Sequence, residues 1–478
     1  MIKSISILSG GRTTIALLNF ARNLLLAWLV SVEDYGIAAT FIVAAAFVET
    51  VADLALDRLV VQDPDGGSDR FLAVIHTLMI ARGVIVASLL FAIAGPIATL
   101  FQHPENTWAY QCFAAFPLVR SFQHLDVIRQ QRSMGFGALI KAELAGAIVS
   151  LLIMWPLAIW LGDFRVLLVA LLVDQFVRCI MTHVMANGAY RLGWDIAIVR
   201  RALMFGLPLL AAGIFVFATL QGDRVLVGDV FSARDLGLFS AALTLAMTPS
   251  LLFSKIAQTF FLPVLSKEQA KPREFAEQGA ICIQSLLLFS CGAIVGFTIL
   301  GEFVFSIAFG SKMAEGAKYV VPLGLAYSLF LIRSGGMNSV ALSLGKSMSV
   351  LGMNLVRLVT LPVAYSIALS GGSVLEVTLV TVGGEIAALL LGGALVHFVH
   401  GVPLTMRLGR CYILAGGILA AGIGIVMQSA GMLGTPVADP LVLYLCQAGF
   451  LGLLALASSD LRQIAVVYFR SKMANVPR

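Results

Sequence analysis

Apolar stretches of about 20 residues, long enough to cross a hydrocarbon core of about 30 Å as an α-helix, recur along almost the whole chain. Short polar segments separate them, and the alternating pattern of a membrane β-barrel does not occur in the sequence. The pattern predicts an all-α polytopic membrane protein with about 14 transmembrane helices. Their expected bounds are residues 8–30, 36–60, 71–100, 107–124, 136–161, 164–188, 202–230, 236–262, 279–308, 318–343, 347–369, 374–399, 410–428 and 440–468.

The lysine and arginine residues between these stretches fall mostly on one side of the predicted membrane. The loops of the other side hold only Arg165, Arg234, Lys312 and Lys318. Because positively charged loops stay in the cytoplasm, this bias predicts that both termini are cytoplasmic. The side with few basic residues is therefore called the predicted outward side.

Two similar hexapeptides lie between apolar stretches, "SVEDYG" at residues 31–36 and "SARDLG" at residues 232–237. Each follows the first span of a set of six spans, on the predicted outward side. Ser-x-x-Asp before an apolar run is typical of a helix start, since the Ser hydroxyl accepts a hydrogen bond from the backbone N–H three residues on. The matching placement predicts a parallel internal repeat about a pseudo-twofold axis along the membrane normal.

The composition agrees with the membrane class and narrows the chemistry. Of the 478 residues, 59% are hydrophobic and 12% are charged, whereas soluble proteins carry about 25% charged residues. Arginines in cytoplasmic loops account for the net charge of +6, so a nucleic-acid partner is not expected. The six cysteines lack metal-ligand spacing, and "SLGKS" at 343–347 lacks the first glycine of a phosphate loop. We therefore expect no cofactor and no metal site.

Two stretches carry a resemblance to a known family. "ARNLLLAWLVSVEDYGIAATFIVAAAFVETVADLALDRLVVQD" at residues 21–63 resembles the opening of bacterial polysaccharide-biosynthesis membrane proteins. "GDRVLVGDVFSARDLGLFSAALTLAMTPSLLFSKIAQTFFLPVLSKE" at 222–268 resembles the start of their second half. These proteins are oligosaccharide (Wzx-type) flippases of the multidrug/oligosaccharidyl-lipid/polysaccharide exporter superfamily. The chain departs from them at "QDPDGGSD", residues 62–69, where many relatives carry a basic or neutral loop.

The resemblance implies one six-helix bundle at residues 1–200, a second at 201–400, and two further transmembrane helices with a cytoplasmic tail at 401–478. It also implies a transporter rather than an enzyme. The implied activity turns an undecaprenyl-diphosphate-linked oligosaccharide from the cytoplasmic to the outer leaflet of the bacterial inner membrane by ion-coupled alternating access. The product serves surface-polysaccharide synthesis, such as that of lipopolysaccharide, or exopolysaccharide synthesis. The implied partners are this lipid-linked substrate, membrane lipids, a proton or sodium ion, and the polysaccharide polymerase and glycosyltransferases of the same pathway.

Arginines within the predicted spans are the first candidate site residues, because ionisable groups at membrane depth are costly and mark functional positions. A guanidinium group stays charged and binds phosphate with two hydrogen bonds, which suits an anionic lipid head group. The alternative for each arginine is an ion pair with an acid on a neighbouring helix. The candidate head-group ligands are Arg22, Arg82, Arg333 and Arg357.

Acidic residues within the spans form a second set of candidates. Asp53 and Glu385 are candidates for ion coupling, because a carboxyl group at membrane depth can carry a proton. Glu49, Asp53 and Asp57 are four residues apart and are expected on one helix face. Further candidates for a gate or an ion pair are Glu49, Asp174, Arg178, Asp223 and Arg224.

Other functions remain open from the sequence. A drug or cation antiporter of the same superfamily would favour twelve spans and acids in its cavity, and lipid II is another possible lipid substrate. A membrane glycan polymerase or ligase would need a sizeable outward loop, and the predicted outward loops are short.

Overall fold

We describe a computed structural model of the chain at residues 2–50, 54–403, 405–429, 431–432 and 439–458. The described residues are almost all helical and hold no strand, so the predicted all-α class is confirmed. They form two compact units. The first unit comprises Met1–Ala241 and Phe309–Met313, and the second comprises Ala242–Ala308 and Ala314–Arg478.

The first unit contains eleven of the α-helices, followed by the start of a twelfth that continues into the second unit. The eleven are α1 (Ile2–Leu29), α2 (Val32–Thr50), α3 (Leu56–Gln62), α4 (Asp69–Ala92), α5 (Ala94–Leu100), α6 (Thr107–Phe113), α7 (Ala115–Ser121), α8 (Asp126–Arg129), α9 (Gly137–Trp160), α10 (Arg165–Val184) and α11 (Ile196–Val230).

The second unit continues with eight further α-helices. These are α12 (Ala233–Glu268), α13 (Pro272–Phe309), α14 (Val320–Leu331), α15 (Asn338–Ser343), α16 (Ser347–Leu369), α17 (Val374–Phe398), α18 (Met406–Ser429) and α19 (Pro440–Ala457). A π-helix at Ile332–Met337 joins α14 to α15, and 3₁₀ turns lie at Pro64–Gly67, Pro104–Asn106, Gln130–Ser133 and Ser311–Tyr319.

Eleven helical segments of the described chain are long and apolar enough to cross a membrane. They correspond to all the predicted spans except the first, second and fourth, so the count of 14 is not confirmed. The helix α1 carries Lys3, Arg12 and Arg22, and α2 carries three acids, two in its first turn and Glu49 near its last residue. The fourth span is split at Ala114 into α6 and α7. The predicted second span is interrupted, because Leu54 and Ala55 are not helical and Ala55 adopts a left-handed conformation before α3 begins.

The two hexapeptides form the predicted helix starts. The Asp34 backbone N–H donates to the Ser31 hydroxyl at 3.0 Å, and the Asp235 backbone N–H donates to the Ser232 hydroxyl at 3.1 Å. These bonds satisfy N–H groups that have no partner within the first turn of a helix. The helices α2 and α12 therefore begin 201 positions apart, in the same way.

The acidic loop that departs from the family pattern is held by arginines. The Arg201 guanidinium pairs with Asp63 at 2.8 Å and with Asp65 at 3.0 Å. The Arg132 guanidinium donates to the carbonyl oxygens of Val60 and Val61, each at 3.0 Å. Arginines from other parts of the first unit thus neutralise the negative charge of this loop. An acidic loop can therefore lie on the predicted cytoplasmic side, whose loops are mostly basic.

In the second unit, α14 is buried on every side. All of its residues from Val320 to Leu331 are buried, and the π-helix that follows it is buried except at Ser334. A helix surrounded by protein is apolar all round, which explains why this stretch shows no polar face in the sequence. Any charged group on this segment must find its partner inside the protein.

Candidate functional site

In the first unit, two of the membrane arginines line one cleft. Val48, Arg82, Gly83, Val86, Pro117 and Arg120 line it, and we call it the arginine cleft. A Cβ atom on Gly83 would lie 2.2 Å from the Ser121 Cβ atom, so the absence of a side chain lets α4 and α7 cross closely. Arg82 and Arg120 directly precede these two contacting residues in the chain. The close crossing therefore places Arg82 and Arg120 on the same cleft, whose open volume in this conformation is about 10 Å³, room for about one water molecule.

Glu49 is the acidic neighbour of the arginine cleft. Its Oε1 atom lies 3.4 Å from Nη1 of Arg120, and the Glu49 side chain is 47% exposed whereas that of Arg120 is 22% exposed. This ion pair is long and half-exposed, so it is a weak one. An incoming anion can compete with such a carboxylate for the guanidinium group.

Arg22 lies on α1, in a polar stripe of the first unit. Its Nη1 atom donates to the Ser150 hydroxyl at 3.3 Å, and its Nε atom has no hydrogen-bond partner among the described residues. The buried amide oxygens of Asn19 and Asn23 also have no hydrogen-bond partner among the described residues. Because unsatisfied buried polar atoms are costly, this stripe is suited to receive a polar ligand or water.

Asp174 and Arg178 form the i, i+4 pair that their spacing predicts. The Arg178 Nε atom donates to Oδ1 of Asp174 at 3.0 Å, and its Nη2 atom lies 2.9 Å from Oδ2. A Cβ atom on Gly146 would lie 2.5 Å from Oδ1 of Asp174, so α9 packs directly on this pair. Asp174, Arg178 and Glu49 all act electrostatically on Arg22. The structure thus gathers Arg22, Glu49, Asp174 and Arg178 into one charged cluster beside the arginine cleft.

In the second unit, Arg333, Arg357 and Glu385 form a buried ionic triad. The Arg333 Nε and Nη2 atoms each donate to the Glu385 carboxylate at 3.0 Å, which is a bidentate pair. The Arg357 Nε atom lies 3.3 Å from Oε1 of the same carboxylate. All three residues are buried, at 4% exposure or less. Glu385 has no basic neighbour along its own helix, and its partners come from the π-helix and from α16.

Neutral side chains complete the surroundings of this triad. The Arg333 Nη1 atom donates to the Asn354 amide oxygen at 2.7 Å, and the Arg357 Nη1 atom donates to the Thr360 hydroxyl at 2.7 Å. A Cβ atom on Gly384 would lie 2.5 Å from the Thr360 hydroxyl oxygen, so α17 approaches α16 closely at this level. In this conformation, Arg333 and Arg357 are held by a carboxylate rather than presented to an open cleft.

The π-helix that carries Arg333 is fixed by side chains of α12. The Gln258 amide nitrogen donates to the Ser334 carbonyl oxygen at 2.8 Å, and the Ser254 hydroxyl donates to the Ser334 hydroxyl at 2.8 Å. A π-turn leaves backbone groups without their usual helical partners, and Gln258 supplies a partner for one of them, the Ser334 carbonyl oxygen. Such turns occur frequently at functional sites.

The remaining candidate residues are Asp223, Arg224 and Asp53. Asp223 and Arg224 are both buried in the first unit, and the Arg224 Nη1 atom donates to the Gln221 amide oxygen at 3.1 Å. Glu49 and Asp57 lie in separate helices, so they do not share one helix face. Asp53 lies outside the described residues.

Sequence reasoning missed Arg120 as a candidate. It lies near the cytoplasmic end of the predicted fourth span, where an arginine ordinarily reaches out to the membrane surface. The split of that span into α6 and α7 and the close crossing at Gly83 change its surroundings. Gly83 next to Arg82 was the available signal, because a glycine within an apolar run often marks a close helix contact.

Comparison with known proteins gives a family and a relative. A family model described as "Polysaccharide biosynthesis protein" matches residues 25–318. The chain is also similar to the teichuronic acid biosynthesis protein TuaB of Bacillus subtilis (strain 168), with 21% identity over 397 residues, covering 81% of each chain.

Solved structures show the same fold. The lipid II flippase MurJ in an inward closed conformation matches with a TM-score of 0.68 and 15% identity, over 97% of this chain and all of MurJ. A multidrug resistance MATE family transporter in an inward-facing conformation matches with a TM-score of 0.61 and 15% identity, over 84% of this chain and 96% of the transporter. At this identity the matches establish the fold. The family model spans more than half of the chain, and the chain therefore belongs to the polysaccharide biosynthesis protein family.

Proposed function

We propose that this protein is a flippase that moves an oligosaccharide linked to undecaprenyl diphosphate from the cytoplasmic to the outer leaflet of the bacterial inner membrane. The observation that carries the proposal is the arginine cleft, where Arg82 and Arg120 line one small opening that must widen to admit a head group. Guanidinium groups suit a diphosphate because they bind it bidentately and keep their charge at every physiological pH. The family and the flippase fold support the same reading.

The roles that we propose follow from the contacts. Arg82 and Arg120 hold the diphosphate, Glu49 competes with it for Arg120, and Arg22 with its polar stripe extends the site along α1. Arg333 and Arg357 act through the triad with Glu385, which shapes the second unit. Alternating access by the two repeats, a proton or sodium gradient as energy source, and cytoplasmic termini complete the proposal.

The drug or cation antiporter is the main competing function, since the fold is shared with MATE transporters. A cationic substrate needs acids at its binding site. The arginine cleft is lined by two arginines, and Glu49 beside Arg120 is half-exposed, so the cleft favours an anionic substrate.

Head-group binding by the purified protein tests the proposal. Undecaprenyl diphosphate is titrated in detergent, with uncharged undecaprenol as the comparison. We expect Arg82→Ala and Arg120→Ala each to weaken binding of the diphosphate by about tenfold or more, because each removes a charge-assisted contact. Binding of undecaprenol is expected to stay unchanged in both variants.

Arg70→Ala is the matched control, because Arg70 lies on the same helix as Arg82 and its side chain is 80% exposed. We expect it to bind the diphosphate as the parent protein does. Equal affinity of the parent and both cleft variants for undecaprenyl diphosphate would refute the assignment of the cleft.

A further inference from the structure

The segment between α10 and α11, residues 185–195, is not helical, and we call it the linker strap. It joins two helices that are long and apolar enough to cross a membrane. It follows the sixth predicted span, so it lies on the predicted cytoplasmic side. Because the strap forms no helical hydrogen bonds, its backbone groups need other partners.

The N-terminal half of α4 supplies partners for the middle of the linker strap. The His76 Nδ1 atom donates to the Arg191 carbonyl oxygen at 3.2 Å. The Gly193 backbone N–H donates to the Ala73 carbonyl oxygen and to the Thr77 hydroxyl, each at 3.1 Å. The strap and α4 therefore run in opposite directions, and the strap is fixed along the helix.

Both ends of the linker strap are also held. The Asn187 backbone N–H donates to Oδ2 of Asp126 at 2.7 Å. At the other end, Nη2 of Arg70 lies 2.6 Å from Oδ2 of Asp195. The strap is thus fixed at both ends and in its middle, so the side chains on its outer surface occupy defined positions.

Three large apolar side chains lie on the outer surface of the linker strap and on the first residue of α11. Leu192 is 60% exposed, Trp194 is 68% exposed and Ile196 is 70% exposed. Gly193 faces inward, since a Cβ atom on it would lie 3.1 Å from the Cβ atom of Ala73. Alternate residues of an extended segment point to opposite sides, so Leu192 and Trp194 share the outer one. An exposed apolar group of this kind marks an interaction surface.

The apolar exposure continues into both neighbouring spans. Ile180 and Val184, one turn apart on α10, are exposed, and so are Met204 and Leu207 on α11. Exposed apolar side chains on membrane-spanning helices face lipid. The linker strap therefore lies where the lipid-facing surface of these spans ends. Tryptophan is enriched at this level of a membrane, because its ring is apolar and its N–H is polar.

Positive charge accompanies these apolar side chains. Arg191 directly precedes Leu192, and Arg200 follows Ile196 by four residues on the same face of α11. Both arginines are exposed, and neither forms an ion pair with a described residue. Basic residues at the cytoplasmic surface of a membrane attract acidic lipid head groups.

We propose that the linker strap is a binding surface for acidic phospholipids of the cytoplasmic leaflet. Leu192, Trp194 and Ile196 enter the boundary between head groups and acyl chains, and Arg191 and Arg200 contact the phosphate groups. Apolar and basic side chains together are the chemistry that binds such lipids. The proposal does not depend on the proposed transport function, because lipid binding has its own readout.

A soluble protein is the competing occupant of this surface. It would leave Trp194 in contact with water whenever the flippase candidate alone is in a bilayer. The continuity of the strap with the exposed apolar residues of α10 and α11 favours lipid. The two occupants therefore differ in the surroundings of one side chain, which can be measured.

Fluorescence quenching of Trp194 in lipid nanodiscs tests the proposal. The signal is the emission of the parent minus that of Trp194→Phe, in discs of phosphatidylcholine and phosphatidylglycerol. We expect lipids that carry bromine on the acyl chain near the head group to quench this signal by about half or more, since interfacial side chains lie about 5–10 Å deep. Acrylamide, a quencher dissolved in water, is expected to have little effect.

The opposite pattern would overturn the proposal. Strong quenching of Trp194 by acrylamide, with none by the brominated lipids, would place the surface in water and assign it to a soluble partner.

Lipid selectivity provides a second, independent test. In detergent, energy transfer from Trp194 to dansyl-labelled lipid reports binding. We expect labelled phosphatidylglycerol to bind about tenfold or more tightly than labelled phosphatidylcholine, because two arginines meet its net negative charge. Replacement of both, Arg191→Gln with Arg200→Gln, is expected to remove most of that difference.

Arg273→Gln is the matched control, because the Arg273 side chain is 90% exposed and pairs with Glu277 in the second unit. We expect it to keep the preference for phosphatidylglycerol. Equal affinity of the parent for the two lipids, or an unchanged preference in the double variant, would overturn the assignment of acidic lipid to the linker strap.

Discussion

At the scale of single residues, the buried triad shows why charge and depth alone do not define a role. Arg333, Arg357 and Glu385 were each recognisable from the sequence as ionisable groups at membrane depth. Because they lie 24 to 52 positions apart, the sequence does not show that both arginines pair with the Glu385 carboxylate. Only the packing of α16 and α17 with the π-helix brings them together, and that packing leaves no signal in local sequence.

Removal of the central carboxylate should cost stability. We expect Glu385→Ala to lower the free energy of unfolding by about 3–5 kcal/mol, because it leaves two buried guanidinium groups without their shared partner. The thermal unfolding midpoint in detergent measures the effect. Glu376→Ala, in the first turn of the same helix, is the matched control and is expected to shift the midpoint much less.

Simultaneous replacement separates the ion pair from simple packing. We expect the combination Arg333→Met, Glu385→Leu and Arg357→Met to recover most of the stability that Glu385→Ala loses, since no buried charge remains. An unfolding midpoint for Glu385→Ala equal to that of the parent would contradict the structural role of the triad.

At the scale of secondary-structure elements, the sequence predicted most long helices and both hexapeptide helix starts. It missed the break between α2 and α3, where neither proline nor glycine stands, and the split of the fourth span at Ala114, where Pro117 in the first turn of α7 was a signal. Ala55 has no turn-forming side chain, yet it takes a φ of 51°. Tertiary packing overrides local preference at such positions. The arginine cleft depends on this split and was therefore only half predictable.

The segment after α10 is held to the rest of the first unit by a ring cluster around His124. The His124 ring lies 5.1 Å from His76 on α4, 5.3 Å from His183 on α10 and 5.4 Å from Tyr190, measured between centroids. The His124 Nε2 atom donates to the Gly188 carbonyl oxygen, and its Nδ1 atom accepts the Asp126 backbone N–H. Both ring nitrogens are thus used by a neutral imidazole.

This cluster should make the fold sensitive to acid. Burial and the nearby His183 lower the pKa of His124 below its ordinary value of 6.5, despite the opposing effects of Asp126 and the Gly188 carbonyl. The unfolded chain therefore takes up a proton at a higher pH than the folded chain does. The stability that neutral His124 contributes is complete above about pH 6.5 and is lost as the pH falls through the lowered pKa.

The neighbouring carboxyl group adds to the same trend at lower pH. Burial acts to raise the pKa of Asp126, but hydrogen bonds from the Asn187 backbone, Gln130 and Arg129 outweigh it, and the pKa is lowered. Its contribution is present at neutral pH and is lost as the pH falls through that lowered pKa.

Thermal unfolding between about pH 7.5 and about pH 5 measures the effect of His124. We expect the midpoint to fall with pH in the parent and to fall less in His124→Gln, whose amide can donate but does not titrate. His103→Gln is the control, because the His103 side chain pairs with the exposed Glu105 outside the cluster. The same pH dependence in the parent and in His124→Gln would count against the role of this ring.

At the scale of the whole molecule, the sequence was enough to predict the membrane class, the family resemblance and the internal repeat. Hydropathy gave the membrane class, and the two hexapeptides indicated the repeat. The structure adds that the same hexapeptides touch each other at Gly36 and Gly237. A backbone contact between residues 201 positions apart cannot be derived from composition or periodicity. It depends on how the starts of α2 and α12 pack, so this contact emerges only from the structure.

The central claim is that this protein moves a lipid diphosphate-linked glycan across a bilayer. The most direct measurement follows an undecaprenyl-diphosphate-linked glycan in proteoliposomes, where an impermeant sugar-modifying enzyme reports the fraction in the outer leaflet. We expect the parent to transfer substrate well above protein-free liposomes, and the Arg82→Ala/Arg120→Ala double variant to fall to that background. Transfer by the parent no faster than in protein-free liposomes, with an ion gradient of either proton or sodium applied, would contradict the claim.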